Sequence, residues 1–144
     1  MSGANPFDYD TFIQLDAIRL SNYVAPIMFD RTAIFPPDSL ERLVTGLPKY
    51  DDAHLVFAIE LGVTHRPDLF AHRLPPYLGH DSMSVRCAAC RGLDRLAADH
   101  VTKELIHAVK SVLAESQEAR QVAAGLPGVT TGLLDKLEAR LWDR

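Results

Sequence analysis

The sequence predicts an all-α protein in which helical hairpins stack side by side into an α-α superhelix. Three observations predict it. Apolar residues recur at helical spacing along nearly the whole chain, most cleanly at Val85, Ala88, Ala89, Gly92, Leu93 and Leu96, where alternating steps of three and one keep one side of a helix apolar. Proline, glycine and acidic residues punctuate these stretches at short intervals, and no stretch reads as a convincing strand. The segment Asp81 to Leu96 also resembles two other segments at a near-constant offset.

Size and composition set the frame. With 144 residues, the chain has the length of one domain and can bury a core. Apolar residues make up 47% and charged residues 24%, as in ordinary globular chains. The net charge of −4 and pI near 5.8 argue against a dedicated nucleic-acid binder, whose affinity rests on neutralising phosphates. No apolar run approaches the ~18 residues that a membrane span needs. The first ten residues lack the basic start and apolar run of a signal peptide, so the expected location is cytoplasmic, with no membrane partner. Two cysteines are too few for a secreted disulfide scaffold.

About eight helices are expected. Residues 1–36 read as an N-terminal cap with an irregular segment. Residues 1–8 form a flexible lead-in, and a helix runs from Tyr9 to about Tyr23 with Phe12, Leu15 and Ile18 inward. Ala25-Pro26 breaks it, because proline disfavours a helical residue before it. Ile27 to Phe35 is apolar and fits a buried loop, a short helix or an isolated strand. Asp38 stands where an N-cap belongs, with Glu41 completing an acidic variant of the capping box. Leu40, Leu43, Val44 and Leu47 follow at helical spacing, closed by Gly46 and Pro48.

Asp51 starts the next helix, with Leu55, Ala58, Ile59, Gly62 and Val63 inward. Pro67 and Asp68 open another through Leu69, Phe70 and Leu74, which Pro75-Pro76 must kink or interrupt. The Asp81–Leu96 helix comes next. Asp99 caps a helix carrying Val101, Leu105, Ala108, Val109 and Val112. Ser116 begins a short one with Ala119, Val122, Ala123 and Leu126, ended by Gly125, Pro127 and Gly128. Thr130 or Thr131 starts a last helix with Leu133, Leu134, Leu137 and Leu141 on one side. Residues 38–128 thus hold about three hairpins, and residues 130–144 a capping helix.

The repeat is visible by direct offset. Moved back by 30, Asp81, Val85, Ala88, Ala89, Gly92 and Leu93 fall on Asp51, Leu55, Ala58, Ile59, Gly62 and Val63. Moved forward by 34, Val85, Arg86, Ala88, Ala89 and Gly92 fall on Ala119, Arg120, Val122, Ala123 and Leu126. A hairpin of this size cannot bury its apolar face alone, and stacking supplies the continuous core. The segment Leu74 to Leu96 resembles a HEAT repeat: a turn bearing Asp81, Val85-Arg86 opening the second helix, then Ala88-Ala89 and Leu93. The likeness is strongest over residues 67–98, weaker over 38–66 and 99–128, and absent over 1–36. It implies that the aspartate and arginine of successive repeats pair along the turns. Only Asp81 and Arg86 fill both positions, since Val56 follows Asp51 and Arg120 follows Glu115.

The candidate chemistry is sparse. Cys87 and Cys90 form C-x-x-C one turn inside a helix with no strand before it, unlike a redox site, and supply half of a zinc site. Both fall away from the apolar stripe, towards a neighbouring helix or the surface. His54, His65, His72, His80, His100 and His107 include no His-Glu pair of the kind that binds iron in a HEAT-like hydroxylase family, so no metal or cofactor is expected. Arg86, Arg91 and Arg95 lack the aromatic partners found in HEAT-like DNA-alkylation repair proteins. There is no phosphate loop and no nucleophile elbow.

The expectation is a non-enzymatic protein-binding module, an adaptor or a stoichiometric inhibitor such as an immunity protein. In HEAT-like stacks the second helices line the concave face. The resemblance therefore implies that His54, Phe57, Glu60, Arg86, Cys87, Cys90, Arg91, Asp94, Gln117, Arg120 and Gln121 face a protein partner. A factor like the phycobilin lyases or a chaperone, and then a nucleic-acid binder, are the alternatives.

Overall fold

The computed structural model describes residues 7–30, 32–124 and 132–142. The first predicted helix is two helices, α1 (Tyr9–Gln14) and α2 (Ala17–Met28). Leu15 is extended, and the Asp16 carboxylate accepts from the Arg19 amide at 2.9 Å, so a new helix starts where the first was expected to continue. That break shifts the phase of the apolar spacing. Leu20, Val24 and Ile27 go inward, while Ile18, expected inward, is 78% exposed. Pro26 does not end α2. It sits in the last turn on an exposed side, and the carbonyl it leaves without an amide belongs to exposed Asn22, where water can replace the lost bond.

Asp38 stands at the N-cap of α3 (Ser39–Thr45) as expected, but not as a side-chain cap. It adopts the left-handed conformation (φ 67°), which aspartate tolerates, and its carboxylate makes no capping bond. The Pro36-Pro37 turn is held instead by the Ser39 hydroxyl, which donates to the Pro36 carbonyl at 2.8 Å. Asp51 does cap α4 (Asp52–His65), accepting from the His54 amide at 2.8 Å. The prolines reduce the next arm to a single α-turn, α5 (Pro67–Phe70), followed by 3-10 turns at Ala71–Arg73 and Pro75–Gly79. The repeat segment forms α6 (Met83–Asp94). Asp99 lies inside a 3-10 turn, Ala98–His100, and the cap of α7 (Lys103–Glu115) is Thr102, whose hydroxyl accepts from the Leu105 amide. Ser116 caps α8 (Gln117–Ala123) as predicted. The last helix is α9 (Leu133–Trp142). The predicted stop at Gly125, Pro127 and Gly128, Leu126 and the start at Thr130 or Thr131 lie outside the described residues. Among the described residues the regular elements are all helical, so the fold is all-α.

The largest interface joins α4 to α6. On its far side α4 is covered by α2, while α6 also meets α8 and α9. The second helices of the three predicted hairpins are therefore neighbours in chain order. In the other layer, α7 packs on the Pro75–Gly79 turn. All six positions of the Val85–Leu96 stripe are buried. The two glycines matched by the repeat serve one purpose, close approach of a first-arm side chain. A Cβ on Gly62 would overlap the Phe70 ring, and one on Gly92 would press Leu74 and Val63 at 3.1 Å. The helix predicted as a terminal cap, α9, lies against α6 and α7.

Gly62→Ala is therefore expected to destabilise the protein by about 1–3 kcal/mol, because Phe70 is fully buried and cannot move aside. Gly79→Ala, whose Cβ would meet nothing closer than 3.5 Å, should stay within about 0.5 kcal/mol. Urea unfolding followed by circular dichroism compares the two. Equal losses would show that the Gly62–Phe70 contact is not the constraint.

Candidate functional site

The sequence places its binding residues on the sides of α4, α6 and α8 away from the stripe. The structure closes much of that surface. His54, Glu60, Arg86, Cys87 and Cys90 are buried, because α2 covers α4 while α8 and α9 cover α6. His54 is a fastener, with Nδ1 2.7 Å from the Asp51 carboxylate and Nε2 3.0 Å from the Phe12 carbonyl of α1. Three turns along α4, His65 repeats this for α2, with Nε2 3.0 Å from the Ile27 carbonyl and 3.1 Å from that of Met28.

Arg86 does not pair with the Asp81 carboxylate. Its Nη1 donates to the backbone carbonyls of His80 and Asp81 at 2.8 and 2.9 Å. Arg120, its counterpart in the repeat, donates to the Leu113 and Ala114 carbonyls at 2.7 and 3.4 Å. Both arginines thus satisfy backbone carbonyls that lie shortly before their own helix. The Cys90 thiol is pushed up to about 12, chiefly by burial and then by the Asp94 carboxylate, which makes it a poor nucleophile. Phe57 is half-buried against the core, and of the candidates only Gln117, Arg120 and Gln121 are exposed.

The remaining candidates belong to ion pairs. Glu60 lies between Arg91, 3.6 Å from Oε1, and Arg95, 3.5 Å from Oε2. Asp94 faces α9, where Lys136 and Arg140 approach Oδ1 at 3.5 and 3.7 Å. The buried Glu60 Oε1 and Asp94 Oδ1 have no hydrogen bond, so these contacts are coulombic.

Sequence reasoning missed Phe29 and Thr64, and weighed Arg95 only as part of a basic stripe. Arg95 Nη2 donates to the Thr64 hydroxyl at 2.9 Å, and the guanidinium lies 5.4 Å from the centre of the Phe29 ring. With Val63, Ala97 and His100 they line a cleft of about 440 Å³ at the C-terminal ends of α2, α4 and α6. Phe29 is 61% exposed. Its place depends on α2 running past Pro26, and no local signal marks it. Among the described residues no cluster of three or more His, Cys, Asp and Glu side chains could hold a metal, and no helix is long and apolar enough to cross a membrane.

Arg86→Ala should cost about 2–3 kcal/mol, since it strips two carbonyls of a charged donor, whereas Asp81→Ala should stay within about 0.5 kcal/mol. Thermal unfolding of the two variants checks this, and equal losses would restore the carboxylate pair. Burial raises the Asp51 carboxyl, but the amide, ring and charge of His54 outweigh it and hold it below its usual 3.8. A lowered carboxyl stabilises the fold above its ordinary value and loses that contribution as pH falls through the lowered one. Urea midpoints measured from pH 6 down to about 2 should therefore fall less steeply in Asp51→Asn than in the wild type.

No family model matches the chain, and neither a curated protein nor a solved structure matches it.

Proposed function

We propose that this chain is a non-enzymatic protein-binding module, an adaptor or stoichiometric inhibitor, that works in the cytoplasm and grips its partner at the Phe29–Arg95 cleft. The observation carrying this reading is the exposed Phe29 ring set against Arg95. Aromatic residues and arginine are enriched at protein interfaces, and arginine is prominent among the few residues that dominate their binding energy. Arg95 is held by Thr64 and Glu60, so little further side-chain entropy is lost when a partner orders it. Two buried, unpaired thiols suit a reducing compartment.

We further propose that the scaffold is HEAT-like. Support comes from the chain-order contacts of α4, α6 and α8, the matched glycines, and the shared task of Arg86 and Arg120. The concave-face set implied by the resemblance then contracts to Phe57, Arg91, Gln117, Arg120 and Gln121, with the cleft taking the leading part.

Phe29→Ser and Ala97→Glu both alter exposed positions of the cleft. Each should leave the melting temperature unchanged and weaken partner binding by about 2 kcal/mol, roughly thirtyfold. The test is affinity capture from the native host with quantitative mass spectrometry, comparing wild type and variants. A stoichiometric partner lost from both variants supports the reading. A partner retained at full yield by both removes the cleft from it.

A further inference from the structure

We infer a second docking groove, between α7 and α9, fitted to an acidic amphipathic helix of a partner protein. Lys103, His107 and Lys110 follow one another on α7 at steps of four and three, which sets them on one side of the helix. At 1.5 Å rise per residue they span about 10 Å, two turns of an opposing helix. They line a groove of about 260 Å³ whose apolar surface is Ile106, Leu141 and Trp142. Trp142, the sole tryptophan of the chain, is 78% exposed.

The charge of this groove opposes that of the whole chain. Its lining has two lysines and one carboxylate, Glu138, a surplus of one positive charge with histidine counted neutral, whereas the chain on the same count carries a net −4. Lys110 lies 3.8 Å from Glu138. Among the described residues the side chains of Lys103 and His107 have no hydrogen-bond or ion-pair partner. Two exposed lysines, with exposed His107 between them, lie beside exposed Trp142 and half-buried Leu141, a surface complementary to a helix with an apolar seam flanked by Asp or Glu. Apolar anchors at helical spacing would settle between α7 and α9, and the flanking carboxylates would meet the α7 row. The acidic balance of the chain and the carboxylate inside the groove favour such a peptide over a nucleic-acid backbone.

None of the residues of this groove lines the Phe29–Arg95 cleft. Two separate surfaces fit a connector that joins two partners better than an inhibitor that caps one. The groove can also fail without affecting the cleft.

Because Trp142 is unique, its emission reports the groove directly. The full chain is titrated with a short helical peptide bearing leucine at every third and fourth position and glutamate on the flanks. We expect a saturable blue shift of Trp142 emission and reduced quenching by acrylamide. Affinity for the same peptide, labelled and followed by anisotropy, should fall about tenfold in Lys103→Glu/Lys110→Glu and should not change in Phe29→Ser. The double variant alters exposed lysines only, and its melting temperature confirms folding. The inference is overturned if the peptide leaves Trp142 emission unchanged, or if a glutamine-for-glutamate peptide binds equally well. It is also overturned if duplex DNA or phosphatidylglycerol vesicles produce the shift and the peptide does not.

Discussion

The enclosure of α4 and α6 governs this structure. Each helix is packed on more than one side, so polar groups on them are taken out of water and need partners within the protein. His54 finds Asp51 and Phe12, Arg86 finds the turn carbonyls, and Glu60 finds Arg91 and Arg95. These contacts also connect elements. Through His54 and His65 one helix holds both α1 and α2, and through Glu60 the ends of α4 and α6 are tied together. The cleft exists where that tie comes to the surface.

The same demand explains how the hairpins resemble one another. What repeats is a donor to the carbonyls at the end of the first arm. Arg86 and Arg120 supply it in two hairpins, and in the first, where Val56 replaces the arginine, the Tyr50 hydroxyl donates to the Leu43 carbonyl at 2.9 Å. Burial, reinforced by the Tyr9 hydroxyl, pushes the Tyr50 phenol well above its usual range, so it keeps the proton it donates. Gly46 leaves the space in which Tyr50 lies. A carboxylate in the turn is not required by this chemistry, which is why Asp81 stays in solvent.

Local features of the fold were legible in the sequence. Asp51 and Ser116 cap their helices through their own side chains, and the stripe of α6 follows from spacing alone. Other features depend on surroundings. Pro26 is carried in the last turn of α2, where the carbonyl left unpaired is that of exposed Asn22, and Asp38 keeps the N-cap position without its side-chain bond in the left-handed conformation that follows a proline pair. For the candidate site, periodicity identifies which side of α4 or α6 is apolar. It does not reveal that α2, α8 and α9 cover the other sides, because those contacts join distant parts of the chain. Phe29 and Arg95 meet for the same reason.

The broken first arm of the central hairpin affects the unfolded chain as well. Pro67, Pro75 and Pro76 fall within one short stretch, where the folded backbone forms α5 and two 3-10 turns in place of a long helix. The arm gives up much of the regular hydrogen bonding that a continuous helix would have. The same prolines restrict the conformations open to this stretch before folding, so less disorder is lost when α7 packs onto it. The central hairpin thus combines a weakly bonded arm with a denatured ensemble already narrowed towards it.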